Sequence, residues 1–329
     1  MPLPEKALIA QIRRMAGSSR LKSRQAPNCT IIRGIGDDCA VLRGSSGRDS
    51  LVTTDFTLEG IHFRRDWHSP ESTAHRCLTR GLSDIAAMGG EPAAAFLSLA
   101  LPRDLAQSWV RRFFRTLVEL AEKHRVILAG GDTAQSLNGI LADIVVIGTV
   151  PKGRAILRSG AKPGDRIYVS GALGGSAAAI AQLRAHPNQK LDPRAYPRHF
   201  YPKPRLELGR ILREKNSVSA IIDTSDGLST DLAHICEESR VGAEIESPAI
   251  PRAHVGKPSH KVDLELALHG GEDYELLFTA PKGKHIPNRI AGVMITEIGK
   301  VTRSAKVFLN NCRGEASELH PQGWEHFRK

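Results

Sequence analysis

The sequence has little of what builds disulfide-rich or membrane-spanning proteins. Its five cysteines are odd in number, widely spaced and never form C-x-x-C, which disfavours a disulfide framework and a zinc ribbon and fits a reducing compartment. The longest apolar stretch, AAAFLSLAL at 93–101, is far shorter than the ~18–20 residues that cross a bilayer. The N-terminal segment holds no apolar core long enough for a signal peptide. We therefore expect a cytoplasmic protein with no membrane partner.

Acidic residues are outnumbered, with 35 Asp+Glu against 46 Lys+Arg and a formal net charge of +11. Such a balance can indicate nucleic-acid binding. However, only 5% of the residues are aromatic, and the best basic cluster, RHFYPKPR at 198–205, is short and has no role that the sequence reveals. We expect a solvated basic surface that helps attract anionic small molecules, and no nucleic-acid partner. A nucleic-acid-binding protein is the non-enzyme alternative, and it predicts salt-sensitive affinity.

The common catalytic and phosphate-binding signatures are also missing. The sequence contains no G-x-x-x-x-G-K-[ST], G-x-G-x-x-G, G-x-S-x-G or H-E-x-x-H. GALGG at 171–175, between a predicted strand and a predicted helix, could present backbone N–H groups to a phosphate, but a tight turn is the favoured interpretation. His62, His68 and His75 have irregular spacing and no Cys or Glu partner pattern, so a histidine metal cluster is not expected.

A chain of 329 residues is too long for one typical core, so two domains of roughly 150 residues are expected. Predicted strands and helices alternate in both halves, which gives the fold class α/β or α+β. The segment 151–165, PKGRAILRSGAKPGD, is rich in Gly, Pro and basic residues and lacks helical periodicity. We place the domain junction there, with an N-terminal domain over 1–150 and a C-terminal domain over 151–329.

Two local predictions bear on the site. A helix is expected over 70–88, with Ser69 as N-cap, Pro70 in its first turn and Gly89-Gly90 at its end. The segment RVILAGGDT at 125–133 is expected to be a strand that ends in a loop.

Six acidic segments stand out, most beside an apolar run and next to Gly, Ser or Thr. They are IIRGIGDDCAVL (31–42), LVTTDFTLEGIHF (51–63), GLSDIAAMGG (81–90), AGGDT (129–133), IIDTSDGL (221–228) and HGGEDYELLF (269–278). Carboxylates with hydroxyls and little His or Cys suit hard cations such as Mg²⁺, which takes a few carboxylates plus substrate phosphates. Converging carboxylates would repel one another unless cations neutralised them. One shared site would therefore imply metal-dependent nucleotide chemistry.

Each acidic segment also has a purely structural interpretation. Asp37-Asp38 could form a turn, and Asp132 could close a loop. Asp84 could pair with Arg80, four residues earlier on the same helix. Ser225 or Asp226 could be the N-cap of a helix over 227–239. These alternatives stay open for each segment taken singly, and position in the sequence does not show that the segments meet.

The order and content of the segments resemble the thiamine-monophosphate kinase family. GDDCA, TTD, SDIAAMG, GGDT, RSGAKPGD, SDGL and GGEDYEL follow one another from about residue 30 to a C-terminal GWEHF. In this order they separate the family from most of its superfamily, which includes aminoimidazole ribonucleotide synthetase and selenophosphate synthetase. The resemblance implies a two-domain fold like that of aminoimidazole ribonucleotide synthetase, with a homodimer formed through the N-terminal sheet. It also implies transfer of phosphate from ATP to thiamine monophosphate with several Mg²⁺ ions, and K⁺ is a further expected ion.

The resemblance also assigns site residues. Those expected to bind metal are Asp38, Thr53, Thr54, Asp55, Asp84, Asp132, Asp223 and Asp226. Those expected to bind ATP are Gly131, Asp132, Arg158 and Ser225, and those expected to bind thiamine monophosphate are His62, Glu272 and Trp324. An aromatic face and a carboxylate are sensible partners for a flat cationic ring system. No dedicated catalytic base is expected, because the acceptor is already a phosphate anion.

Two positions depart from the family pattern. Gly81 stands where Asn usually precedes LSD, and we expect this to loosen hydrogen bonding around Asp84 without removing a ligand. Phe56-Thr57 stands where the family frequently has Thr or Met followed by an aliphatic residue, and we interpret this as a variation in packing. Aminoimidazole ribonucleotide synthetase is the alternative enzyme. Selenophosphate synthetase is disfavoured, because no Cys stands in a glycine-rich N-terminal segment ahead of a Lys.

Overall fold

The computed structural model describes residues 3–17, 30–44 and 47–326. Its helices are α1 (Glu5–Gly17), α2 (Pro70–Ala87), α3 (Gln107–Lys123), α4 (Gly175–Ala185), α5 (Pro197–Phe200), α6 (Leu206–Glu214), α7 (Leu228–Ser239) and α8 (Leu264–His269). Its strands are β1 (Ile31–Arg33), β2 (Ala40–Arg43), β3 (Arg48–Leu58), β4 (Glu91–Pro102), β5 (Ile127–Ser136), β6 (Leu141–Pro151), β7 (Arg166–Ser170), β8 (Ala220–Asp223), β9 (Gly242–Glu246), β10 (His254–Val255), β11 (His260–Lys261), β12 (Leu276–Ala280), β13 (Arg289–Ile290), β14 (Val293–Thr302), β15 (Val307–Asn310) and β16 (Ala316–Glu318). No helix in these described ranges is both long and apolar enough to cross a membrane.

The N-terminal half forms a six-stranded sheet in the order β1-β2-β3-β6-β4-β5, antiparallel except for the β4–β5 pair. Side chains alternate along β3, so that Leu51 and Thr53 face the core while Thr54 and Phe56 lie on the other face. Helices α2 and α3 contribute to the core on the first face. The second face is only partly covered by the described chain, and Phe56 on it is 53% exposed.

Helix α2 connects the two halves of the molecule. It begins as predicted, because Ser69 Oγ accepts a hydrogen bond from the Ser72 N–H at 3.2 Å and Pro70 occupies the first turn. One side of α2 packs on the N-terminal sheet. Its last turn, Ala86 and Ala87, packs with α6 and β12 of the C-terminal half. A helix buried on both sides can carry functional side chains between two domains.

The C-terminal half forms a mixed sheet in the order β16-β15-β9-β14-β7-β12-β8, to which β13 is added beside β14. Helices α7 and α8 cover one face, and α6 together with the end of α2 covers the other. Helices α4 and α5 form a smaller apolar cluster with the β10 region. The predicted mixture of strands and helices in both halves is therefore confirmed.

Two local expectations are wrong. The GGDT segment does not close a loop: β5 runs through it to Ser136, because Gly131, Asp132 and Thr133 pair in parallel with Leu97, Ser98 and Leu99 of β4. Neither Ser225 nor Asp226 caps α7. The N-cap is Gly227, with φ of 117°, and its N–H donates to Asp231 Oδ2 at 3.0 Å. A carboxylate inside the helix therefore replaces the expected side-chain cap.

Candidate active site

Three carboxylates from distant parts of the chain meet between the two halves of the molecule. Asp38 lies in the turn before β2, Asp84 lies on α2, and Asp223 is the last residue of β8. One oxygen from each lies within 4.8 Å of one oxygen from each of the others. The structure therefore brings together acids from the first, third and fifth acidic segments.

Neighbouring side chains fix these carboxylates. Ser83 Oγ donates to Asp223 Oδ2 at 2.5 Å, which ties α2 to β8. Thr53 Oγ1 donates to Asp84, and Arg158 Nη2 donates to Asp38 Oδ1 at 2.7 Å. Asp38 Oδ2 is buried and accepts no hydrogen bond from any described group. An unsatisfied buried carboxylate oxygen is costly unless something else binds it.

The electrostatics of this cluster call for a cation. Burial, followed by the charge of Asp55 and then of Asp223, raises the pKa of Asp84 well above its ordinary value. Burial and Asp38 raise the pKa of Asp223 to about 7, and burial and Glu5 raise that of Asp226 to about 7. Desolvation and mutual repulsion both disfavour the charged forms. The donor set consists of oxygen atoms, which fits a hard divalent ion such as Mg²⁺.

Not every residue expected to bind metal lies at this cluster. The Thr54 hydroxyl is on the other face of β3, where it donates to Asp143 Oδ1 at 2.7 Å. Asp132 lies on β5, three strands away from β3 in the sheet, and its carboxylate accepts from the Thr133 N–H. Gly131 precedes it with φ of 149°, and a Cβ there would lie 1.8 Å from the Leu97 carbonyl oxygen. Within one chain, Thr54, Gly131 and Asp132 are therefore separated from Asp38.

Glu272 is held by two arginines of α2, Arg76 and Arg80, which lie on the same face of the helix as Asp84 because they precede it by eight and four residues. Its Oε1 lies 2.7 Å from Arg76 Nη2 and 3.2 Å from Arg80 Nη1. Burial alone would raise the pKa of Glu272, but Arg76 and then Arg80 outweigh burial and hold it at about 2. The carboxylate is therefore ionised, and both arginine contacts engage the same oxygen.

The loop that carries Glu272 is laid against the loop of Asp223 and Asp226. The Glu272 N–H donates to the Ser225 carbonyl at 2.8 Å, and the Tyr274 N–H donates to the Thr224 carbonyl at 3.0 Å. Glu272 and Tyr274 both have left-handed backbone conformations, with φ of 66° and 51°. Such conformations cost free energy in residues other than glycine and are concentrated at functional sites.

Trp324 and His62 complete this end of the site. The Trp324 backbone N–H donates to the Asp226 carbonyl at 3.0 Å, and the residue is 47% exposed. The His326 ring lies 5.6 Å from the rings of both Trp324 and His62. Burial and then the charge of Arg80 lower the pKa of His62 to about 3, so this imidazole is neutral. An exposed indole thus stands beside the loop that carries the carboxylates.

Comparisons with known proteins identify the family. Residues 36–150 match the AIR synthase related protein, N-terminal domain, and residues 162–310 match the corresponding C-terminal domain. The chain is 37% identical to the thiamine-monophosphate kinase of Escherichia coli K12 over 99% of both chains, and 34% identical to that of Bacillus subtilis over 90% of this chain and 93% of the other. This chain belongs to the thiamine-monophosphate kinase family.

Solved structures of thiamine-monophosphate kinases share the fold. AaThiL complexed with AMPPCP and TMP is 32% identical and superimposes with a TM-score of 0.83 over 99% of both chains. The enzyme from Stenotrophomonas maltophilia is 30% identical, with a TM-score of 0.71 over 96% of this chain and 99% of the other. The hydrogenase maturation protein HypE, at 17% identity and a TM-score of 0.72, shows the fold alone. The two-domain fold implied by the family resemblance is confirmed.

Sequence reasoning missed the arginines and the serine that organise this kinase-family site. Arg80 was expected to pair with Asp84, but its Nε lies 3.6 Å from Asp55 Oδ1 and its Nη1 contacts Glu272. The alternative interpretation of an Arg80–Asp84 pair is therefore wrong, because the Arg80 guanidinium is directed to Asp55 and Glu272. Ser83 carries no motif signal beyond its position beside Asp84. Partners from another domain cannot be seen in helical spacing.

Amide groups at the end of the GALGG turn are already bound by a carboxylate of the protein. The Gly174 N–H donates to Asp273 Oδ2 at 2.5 Å, and the Ser176 N–H donates to Asp273 Oδ1 at 3.2 Å. A buried carboxylate from the GGEDYEL motif thus occupies the N-terminus of α4. The interpretation of GALGG as a tight turn is confirmed.

Proposed function

We propose that this protein transfers the γ-phosphoryl group of ATP to thiamine monophosphate, which gives ADP and thiamine diphosphate. The observation that carries the proposal is the convergence of Asp38, Asp84 and Asp223 beside the loop of Glu272. This arrangement occurs in a chain that matches 99% of the thiamine-monophosphate kinase of Escherichia coli K12. The fold of the whole chain also superimposes on that of a relative complexed with AMPPCP, an ATP analogue, and TMP.

Mg²⁺ is the metal that suits the site best. Asp38, Asp84 and Asp223 would hold it. The Asp55 carboxylate lies near enough to interact electrostatically with Asp84 and Asp223, and that of Asp226 near enough to interact with Asp55. When bound, Mg²⁺ supplies positive charge that offsets the phosphates and the buried carboxylates. A K⁺ requirement stays a prediction of the family resemblance.

The chain's own groups suit a transfer between two phosphates. An oxygen of the acceptor phosphate attacks the γ-phosphorus in line as the bond to the ADP oxygen breaks, and the acceptor needs no base because it is already an anion. Arg158, whose guanidinium contacts Asp38, would face the ATP phosphates. The exposed Trp324 ring would stack on the thiamine cation, and the ionised Glu272 would balance its charge.

A homodimer through the N-terminal sheet would account for the residues that lie apart. The face of that sheet opposite α2 carries Phe56 and Leu141, which are 53% and 37% exposed. Large exposed apolar side chains on one sheet face indicate an interface. Thr54 and Asp132 lie on the same face, and Asp132 is on the edge strand. In a pair of such sheets, the partner's Asp132 would complete a site that one chain leaves incomplete.

Product formation tests the proposed function directly. The purified protein is incubated with MgATP and thiamine monophosphate, and thiamine diphosphate is followed by chromatography. We expect product that requires ATP, Mg²⁺ and Asp84. ATP binding without thiamine diphosphate formation would overturn the proposal, and the substrate of aminoimidazole ribonucleotide synthetase would then be assayed in its place.

A further inference from the structure

Arg80 contacts both Asp55, one of the carboxylates expected to bind metal, and Glu272, one of the residues expected to bind thiamine monophosphate. Its Nε is 3.6 Å from Asp55 Oδ1, on the side of the cluster. Its Nη1 is 3.2 Å from both Glu272 Oε1 and the Tyr274 hydroxyl, on the other side. Arg80 therefore spans the boundary across which a phosphoryl group would pass.

This guanidinium is charged and has donors to spare. Burial would lower the pKa of Arg80, but Tyr274, Asp55, Glu272 and Asp84 together raise it above its ordinary value. Among the described residues its two hydrogen bonds are both made by Nη1, and its Nε faces Asp55 at 3.6 Å, so the Nη2 donors are left for a ligand. Since a guanidinium carries five N–H donors in a planar fork, it can bind a phosphate without releasing Glu272.

We propose that Arg80 binds the phosphate of thiamine monophosphate. The inference rests on the proposed function, and it deepens it by assigning the acceptor phosphate a protein contact. That phosphate must lie between the carboxylates that hold the metal and the Glu272–Trp324 end that holds the thiamine. A dianion placed beside Asp55 and Asp84 needs a fixed positive charge, and Arg80 is the arginine that contacts both Asp55 and Glu272.

A second role for Arg80, holding Glu272 in place, makes a different prediction. Arg76 contacts the same Glu272 oxygen at 2.7 Å, so the carboxylate keeps a partner when Arg80 is removed. Loss of a phosphate contact weakens only ligands that carry the phosphate. Loss of Glu272 positioning weakens thiamine and thiamine monophosphate alike.

The deciding experiment compares two ligands on Arg80→Gln. Dissociation constants for thiamine monophosphate and for thiamine are measured with MgAMPPCP present, by calorimetry or by competition. We expect binding of thiamine monophosphate to weaken by roughly 10- to 100-fold, the usual effect of one charged hydrogen-bonded contact, while thiamine binding changes little. KM for thiamine monophosphate should rise while KM for ATP stays near the wild-type value. Arg80→Lys, which keeps the charge without the fork, should lie in between.

The controls separate this inference from the proposed function. Arg112→Gln removes an exposed arginine that pairs with Glu71 on the surface, and it should behave as wild type. Equal weakening of both ligands in Arg80→Gln, or no weakening of either, would overturn the phosphate contact. Those outcomes leave the function intact if the wild type makes thiamine diphosphate, whereas a wild type that makes none overturns both. If Arg80→Gln does not fold, an unchanged ligand ratio in Arg80→Lys overturns the inference.

Discussion

Asp84 stands out among the acids of the site because the charged groups around it include Asp55, Asp223 and Asp38, all of the same sign. Asp84→Asn keeps the shape and can still accept from Thr53, but removes that repulsion. Without metal we expect the variant to be more stable than wild type by about 1 kcal/mol, or roughly 2–4 °C in Tm. Turnover should fall by at least ~10²-fold, since the metal loses a charged ligand. Thermal unfolding with and without MgAMPPCP, beside the activity assay, measures both effects.

Asp66→Asn is the matched control for Asp84→Asn. Asp66 is an exposed carboxylate that pairs with Arg64 in a surface loop. Its replacement should change neither turnover nor the stabilisation that MgAMPPCP gives to the folded state. If Asp84→Asn were less stable than wild type and kept its metal-dependent stabilisation, the assignment of Asp84 would be wrong.

The presence of glycine at position 81 is explained by close packing of α2 on β6 rather than by looser hydrogen bonding around Asp84. A Cβ at Gly81 would lie 2.6 Å from Val146 Cγ2 on β6, closer than real side chains approach. We expect Gly81→Ala to lower the free energy of unfolding by about 1–3 kcal/mol through overpacking. Combining it with Val146→Ala should cost less than the sum of the two single changes, because the smaller residue makes room. Urea unfolding of the four proteins in this cycle provides the measurement.

Gly283→Ala provides the reference for that cycle. A Cβ there meets nothing within 4 Å, so its effect reports only the change in backbone freedom. Strict additivity between Gly81→Ala and Val146→Ala would show that the two residues do not compete for space. The effect of having Gly81 in place of the usual Asn would then lie in the hydrogen bonding around Asp84, as the sequence analysis expects.

At the scale of elements, a buried histidine pair links the loop before α2 to α5. His68 Nε2 and His199 Nε2 lie 2.9 Å apart, so one ring donates and the other accepts, and both are neutral. Burial and then Arg76 lower the pKa of His68 to about 4, and burial, Arg76 and His68 lower that of His199 well below its ordinary value. The same segment contains Arg198 and Arg205, which both bind Glu275. The basic segment 198–205 therefore joins α5 and α6 to the GGEDYEL motif.

Acid should weaken this link. The pKa of His68 is lower in the folded than in the unfolded state. Neutral His68 therefore makes its full contribution to the free energy of unfolding above about pH 6.5. That contribution is lost as the pH falls towards 4, when the unfolded chain binds the proton. We expect the stability advantage of wild type over His68→Gln to shrink by about 1.4 kcal/mol per pH unit in that window. Denaturant unfolding from pH 7.5 to 4.5 measures it, with the exposed His254→Gln as control. An advantage that does not change with pH would contradict the assignment.

At the scale of the whole molecule, the sequence predicts which residues belong to the site better than it predicts how they come together in space. Asp38, Asp84 and Asp223 are marked by the number of acidic segments beside apolar runs rather than by any one of them, since a single Asp in a loop is ordinary turn chemistry. Their convergence depends on α2 packing against both sheets, which no local pattern contains. The contact of Ser83 with Asp223 and those of Arg76 and Arg80 with Glu272 cross between domains, so helical spacing could not predict them. GGDT was misjudged because its glycines resemble a loop, although close packing against Leu97 requires glycine at 131 within a strand.

The last prediction concerns the proposed dimer, because only a dimer would bring Asp132 of one chain into the site that contains Asp84 of the other. We expect the wild type to have twice the mass of the 35.8 kDa chain in sedimentation, and Phe56→Asp to be a monomer, while Val118→Asp on the exposed side of α3 stays dimeric.

A mixed dimer shows which chain supplies Asp132 to a site. Asp84→Asn and Asp132→Asn should each be inactive. If Asp132 acts in its partner's site, a mixed dimer of these two variants has one site with both acids intact. Co-expression should then restore about a quarter of wild-type activity, since about half of the dimers are mixed and each has one working site. If Asp132 acts within its own chain, both sites of every mixed dimer lack an acid and no activity returns.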